Sequence, residues 1–293
     1  MGKVFLQQLI NGISVGGVYA LIASGYALIY SLLGFSNWAH GEVCMVGAYV
    51  ALMSVSALVL PFPLAALAGI GGAALISLFN ERFLYRRIRE NKSPTMFLMI
   101  AAMGLSTVFQ NGVMLLFGSK FQMFPTVIPI TSISAGNIRI GVLDVMSLAI
   151  SAAALIVMEF LIQHTKFGLG VRSVASNSYT ASLLGVNVDK MLAAVFILAG
   201  ALAGVAGILL GLKYNVFPTM GNVGLKAFIA SVFGGLGSVR GAILGALIIG
   251  VAEIMVAGYL NSSLRDLITF SLLIATLLIK PSGLMGIHVE EKA

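Results

Sequence analysis

The sequence predicts an all-α polytopic membrane protein of about eight transmembrane helices plus a re-entrant half-helix, and three observations carry that expectation. Of the 293 residues, 59% are hydrophobic and only 9% charged, and the mean hydropathy of +1.04 belongs to chains that dissolve in lipid. The apolar residues fall in long unbroken runs, whereas a membrane barrel would alternate apolar and polar over stretches of roughly ten residues. No hydrophilic stretch is long enough to fold alone, so residues 1–293 read as a single transmembrane domain.

Spans are expected over Leu9–Leu33, Val43–Leu60, Phe62–Phe79, Met96–Phe117, Val142–Ile162, Met191–Leu212, Val239–Gly258 and Leu264–Ile279. The opening MGKVFLQQL lacks an evident cleavage site and reads as the start of a retained span. Between Val223 and Leu236, VGLKAFIASVFGGL is apolar but short for a span, and Gly234, Gly235 and Gly237 weaken its end as a helix. A half-helix dipping into the membrane is the preferred reading; the alternative is an ordinary span with a glycine-rich face, and the side of the C-terminus depends on that choice.

The net charge of +7 is concentrated. Arg82, Arg86, Arg87, Arg89 and Lys92 crowd one short loop beside Glu81 and Glu90, which marks the cytoplasmic side and argues for no nucleic acid partner. Two spans later the polar stretch Gln163–Lys190 returns to that side carrying Lys166, Arg172 and Lys190. The segment from Lys120 to Arg139, with Pro125 and Pro129, then faces outward, where it could cap an entrance. Glycine, 34 residues in all, recurs within spans; Gly200, Gly204, Gly207 and Gly211 share one face suited to close helix approach.

Candidate chemistry is sparse. No G-x-x-x-x-G-K-[ST] run exists, and GGLGSVRG at Gly234–Gly241 lacks a preceding strand. His40, His164 and His288 have no second ligand at zinc spacing, so no metal, cofactor or catalytic residue is expected. The lone Cys44 lies in an apolar run and forms no intrachain disulfide. Ser36 and His40 form the nearest approach to a nucleophile and base, but without a nucleophile elbow.

Two polar features remain. Ser36, Asn37, Trp38, His40 and Glu42 sit between the first two apolar runs, flanked by Gly34 and Gly41, and either line a translocation route or form a helix-ending turn with an interfacial Trp. Glu253 lies well inside a span, where it requires a partner such as Lys226. Within the island, Ser176 or Asn177 can cap a short helix through Leu184, with Asn177, Ala181 and Leu184 on one face, Gly185 ending it and Asn187 capping the next span ahead of Asp189. Such a helix suits a partner's groove; a solvated connecting loop is the plainer reading.

Four stretches carry a family likeness: NGISVGGVYALIASGYALIYSLLGFSNWAHGEVCMVGAYVA, GLGVRSVASNSYTASLLGVNVDKMLAAVFILAGALAGVAGIL, GLKAFIASVFGGLGSVRGAILGALIIGVAE and the terminal KPSGLMG. In that order they resemble the permease subunits of branched-chain amino-acid (Liv-type) ABC importers. The resemblance implies two cytoplasmic ATPase subunits, a second permease subunit related or identical to this one, a periplasmic substrate-binding protein, and a place in the lipid of a prokaryotic inner membrane. It implies that Arg172–Asp189 contacts the ATPases, with Ser176–Gly185 as coupling helix and Arg172, Ser176, Asn177, Ala181, Leu184, Gly185 and Asn187 as its candidate residues. It places Asn37, Trp38, His40 and Glu42 near the substrate route, which Lys226 and Glu253 would extend. Trp38 stands where Phe is expected in many relatives, and Arg240 where Pro is common. The competing reading is an ion-coupled secondary transporter using Glu42 and Glu253; a permease of the same type carrying urea or short amides is a variant of the first.

Overall fold

The computed structural model describes residues 2–125, 132–135 and 138–286; Pro129 and His288 lie outside them. The chain is a helical bundle: α1 (Gly2–Leu33), α2 (His40–Ser56), α3 (Phe62–Phe79), α4 (Arg86–Glu90), α5 (Thr95–Phe117), α6 (Val142–His164), α7 (Lys166–Ser176), α8 (Ser178–Leu183), α9 (Val188–Tyr214), α10 (Val223–Gly234), α11 (Val239–Tyr259) and α12 (Arg265–Ile279). The exception is a short antiparallel hairpin, Ser132–Ala135 with Ile138–Gly141. Among the described residues seven helices are long and apolar enough to cross a membrane, and the 17-residue α2 is an eighth apolar helix enclosed by the others.

Charge does not end α3. It runs through a π-helical turn, Asn80–Tyr85, into α4, so the basic cluster expected in a loop sits largely on a helix, with the turn coming only after Glu90. The turn brings Asn80, Glu81 and Tyr85 inward, all buried. Turns of this kind interrupt α-helices mostly at functional positions.

Position 223–236 resolves as a half-helix. α10 has 12 residues, about 18 Å at 1.5 Å per residue, too short for a hydrocarbon core of about 30 Å. It begins at the depth of Gly41, whose backbone lies against Gly221 and Gly224, and ends at Gly235 and Gly237, both with positive φ (116° and 84°). Glycine is required there because L side chains rarely adopt that conformation. α11 then runs back antiparallel, with Gly241 against Gly234 and Gly245 against Ala230.

The same turn receives the C-terminal motif. Leu284 and Met285 donate backbone hydrogen bonds to Phe233 O (3.0 Å) and Gly234 O (2.8 Å). A Cβ at Gly237 would stand 3.8 Å from Tyr30 and Ser31 near the end of α1, and Phe35, just past α1, packs on Tyr85 at 5.2 Å. The end of α12 therefore shares one end of the bundle with the basic helix α4 and the polar segment 163–190.

Helices in lipid gain little from excluding water, so association depends on close packing. α1 meets α11 through Gly12, Gly16 and Gly250: a Cβ at Gly12 would stand 2.7 Å from Val251 Cα, and one at Gly16 2.9 Å from Leu247 Cα. α9 uses its glycine face in the same way, Gly200 and Gly204 on Ala73 and Ile70 of α3, Gly207 on the Cys44 carbonyl of α2, and Gly211 on Phe124 and Val216. By contrast Gly104, on α5, has nothing within 4 Å of a Cβ.

Gly207→Ala is expected to destabilise the purified protein by about 2 kcal/mol or more, because the colliding atom is backbone. Gly104→Ala is expected to be neutral or stabilising by about 0.5–1 kcal/mol. Thermal unfolding in detergent reads both; equal behaviour of the two variants would contradict the packing account.

Candidate functional site

The NWAHGE motif forms where the chain re-enters the bundle. α1 ends at Leu33 and Gly34 takes φ +64°, and the next residues climb back until His40 reaches Gly25, about 12 Å up α1 at 1.5 Å per residue. α2 therefore starts inside the bundle. Each motif residue has a distinct contact. Asn37 Oδ1 accepts from Tyr85 Oη at 2.7 Å, and His40 packs edge-on to Tyr26, ring centroids 4.9 Å apart. Gly41 admits the start of α10, Glu42 Oε1 accepts from Ser106 Oγ at 3.3 Å, and Trp38 lies 5.7 Å from Phe228.

A cavity of about 110 Å³ opens beside the motif, bordered by Tyr26, Ser36, Trp38, Glu42, Ser106 and Phe228. Trp38 and Glu42 face it. Asn37 and His40 do not: both are buried, His40 completely, because the missing side chain at Gly25 leaves a socket that the imidazole fills. His40 is thus placed in the packing that holds the cavity wall. Tyr26, Ser106 and Phe228 were not singled out from sequence, since each sits in an ordinary apolar run.

Towards the opposite end, Glu253 is buried and accepts from three groups. It accepts from Tyr19 Oη at 3.1 Å and Thr269 Oγ1 at 2.6 Å, and Lys226 Nζ lies 3.1 Å away, the pairing expected from sequence. Lys226 also reaches Asp266 at 2.8 Å. The residues Lys226, Glu253 and Arg265 border a cavity of about 200 Å³. Nearer that end of the bundle Lys213 pairs with Asp144, whose backbone carbonyl accepts from Ser14. The described part of segment 120–139 covers this region: Gln122 pairs with Val216 as an isolated bridge, and Phe121 packs on Phe217 at 4.9 Å.

At the end of the bundle shared with α4, the polar island folds as two helices. Asn177 breaks the chain between α7 and α8 and caps α8, its Oδ1 accepting from Thr180 N at 2.9 Å, while Ser176 closes α7. Gly185 takes φ +86°, and Asn187 Oδ1 caps α9 by accepting from Lys190 N at 3.0 Å. Arg172 donates to Gln163 O and Oε1, bracing α7 against the end of α6. The expected shared face of Asn177, Ala181 and Leu184 does not form as one surface. Ala181 is buried, its small side chain turned inward, whereas Leu184 is 79% exposed alongside Tyr179 at 72% and Leu183 at 69%. Capping residues were legible from local chemistry; the outward face depended on which side α9 and α7 cover.

An ion network joins this segment to the π-helical turn. Arg89 lies 3.0 Å from buried Glu81 and 3.2 Å from Asp189, and Arg86 lies 3.7 Å from each. Asp189 is in the first turn of α9, immediately after α8. No group of three or more potential metal-ligating side chains occurs among the described residues, and Cys44 is buried with a free thiol.

Glu253→Gln is expected to lower stability by about 1–3 kcal/mol, since it leaves Lys226 with only the exposed Asp266; unchanged thermal unfolding would remove the structural role of the pair. Tyr85→Phe is expected to cost about 1 kcal/mol by stranding buried Asn37 Oδ1, read in the same assay.

Residues 8–277 match the family described as branched-chain amino acid transport system, permease component. The chain is 37% identical over 302 residues to the high-affinity branched-chain amino acid transport system permease protein LivH of Salmonella typhimurium, covering 98% of this chain and 97% of that one. It is 36% identical to BraD of Pseudomonas aeruginosa, with 98% of each chain covered, and 30% identical to a probable LivH of Methanocaldococcus jannaschii, covering 96% and 93%. In fold it is similar to the solved structure of PsaBC from Streptococcus pneumoniae in complex with Fab, at a TM-score of 0.51 and 14% identity over 95% of this chain and 92% of that one. With a family match over residues 8–277 and a relative 37% identical over nearly its full length, this all-α bundle is a transporter subunit, and the chain belongs to the permease-component family of branched-chain amino acid transport systems.

Proposed function

We propose that this chain forms the membrane pathway of an ATP-driven importer of branched-chain or related amino acids in a prokaryotic inner membrane, working with a second permease subunit, two cytoplasmic ATPases and a periplasmic binding protein. The observation that carries the reading is the inner surface of α7 and α8 in a chain of this family. Tyr179, Leu183 and Leu184 project outward from a short helix, which is how a helix fits a partner's groove. The segment behind it is tied to the transmembrane helices through Asp189, Arg86, Arg89 and Glu81. A force applied to α8 thus has a route to α9 and to the π-helical turn of α3.

Energy enters as differential affinity. If the ATPases hold α8 more tightly in one arrangement of the bundle than another, nucleotide binding shifts the balance between outward-open and inward-open states. The cavity at Trp38 and Glu42 and the one at Lys226 and Glu253 lie at successive depths on that route. Ion-coupled transport through Glu253 is disfavoured because the chain belongs to the permease-component family of branched-chain amino acid transport systems.

The test is reconstitution of the complete importer in vesicles with radiolabelled L-leucine. Uptake is expected only with ATP, the ATPases and the binding protein present; accumulation against a gradient by this chain alone would overturn the proposal. Leu184→Asp, at an exposed position, and Arg172→Glu, which removes the brace on α7, are expected to abolish stimulation of ATP hydrolysis by cargo-loaded binding protein while the permease remains folded. Normal coupling in both would remove α7 and α8 as the contact.

A further inference from the structure

Two cavities meet at the end of the bundle opposite the ATPase-facing helices. One, of about 200 Å³, reaches Glu253 and Lys226. The other, of about 230 Å³, is bordered by Gln8, Asn11, Asp144 and Lys213. Tyr214, Ile254 and Arg265 line both.

The charges around them do not all cancel within the chain. Lys226 is held by Glu253 and Asp266, and Lys213 by Asp144. Arg265 has no carboxylate within ion-pair distance among the described residues, and its Nε is buried without a hydrogen-bond partner. A planar guanidinium with unused donors is the side chain best matched to a carboxylate. Glu253 accepts from three groups, and a carboxylate offers about four acceptor positions. The deeper wall is apolar, with Leu210, Phe217, Met220 and Val223. Asn215, on the same wall, has φ 77° and ψ 167°, a region essentially reserved for glycine and occupied by other residues mainly where function over-determines the backbone.

We propose that the cavity between Glu253 and Arg265 binds a zwitterionic α-amino acid with an aliphatic side chain. Arg265 takes the carboxylate, the remaining acceptor position of Glu253 takes the ammonium, and Leu210, Phe217, Met220 and Val223 take the side chain. The assignment rests on the importer reading above and adds the residues that recognise the cargo's charged end. Both ligand charges are met within one cavity, so the zwitterion leaves water without stranding either.

The experiment uses the full-length chain in lipid nanodiscs and saturation-transfer NMR with three probes: L-leucine, 4-methylpentanoate, which lacks the ammonium, and 3-methylbutylamine, which lacks the carboxylate. Wild-type protein is expected to bind L-leucine at least about tenfold more tightly than either analogue, the scale of one lost charge-assisted hydrogen bond. Arg265→Gln is expected to bring L-leucine down to the level of 3-methylbutylamine, and Arg265→Lys to restore part of the difference. Equal binding of the three probes by wild-type protein overturns the proposal, whether or not the variants reach the membrane. So does an undiminished preference for L-leucine in Arg265→Gln, which would mean that Arg265 serves another partner such as a second permease subunit. L-leucine uptake by the complete importer, without L-leucine binding to the nanodisc-held chain, would sink this site and leave the importer reading standing. Failure of uptake would sink the importer reading itself.

Discussion

The structure depends on backbone-to-backbone approach between helices at glycine. Lipid offers helices no strong reason to associate, so the contacts must supply it through packing. The α1–α11 crossing at Gly12, Gly16 and Gly250 and the α9 contacts at Gly200, Gly204 and Gly207 bring helices closer than any side chain would allow. α1 is almost wholly enclosed as a result. With α1, α9 and α11 locked together, shorter pieces can be suspended among them. α2 starts partway through the bundle, and α10 ends before crossing it. These broken elements are the ones that create internal polar surface.

Broken helices leave backbone groups and polar side chains at depths where lipid cannot satisfy them. The structure answers with paired contacts: Tyr85 with Asn37, Ser106 with Glu42, and Tyr19, Thr269 and Lys226 with Glu253. The glycines at Gly25 and Gly41 have the complementary task of making room, one for the His40 ring and one for the start of α10. Cavities remain where the fit is incomplete, beside Trp38 and beside Arg265. The end that carries α4 repeats the pattern in charge, with buried Glu81 joined through two arginines to Asp189. A transporter needs both properties at once, rigid posts and a few movable, polar, incompletely filled joints.

Much of this was legible in the chain. Long apolar runs gave the helices, because a span must satisfy its backbone internally and so must be continuous. The short run at 223–236 was readable as a half-helix from its length and its terminal glycines, and the pair Lys226–Glu253 from the cost of an unpartnered carboxylate in a span. Caps at Asn177 and Asn187 followed from local chemistry. Which way His40 faces was not readable, because a histidine in a polar motif looks the same whether it faces a cavity or fills a socket left by a glycine fifteen residues earlier on another helix. Tyr26, Ser106 and Arg265 escaped notice for a related reason: each acquires its role from a neighbour distant in sequence.

The sequence by itself determined the membrane class, the helices and the family, since these rest on composition, period and local hydrogen bonding within a few residues. Only the tertiary structure decided which face of α8 points outward, that the basic cluster lies on a helix bent through a π-turn, that the C-terminal motif shares an end with the polar island, and that Arg265 is left without a carboxylate among the described residues. Burial and charge pairing are properties of what lies opposite, and the opposite helix is named by packing, which local sequence does not encode.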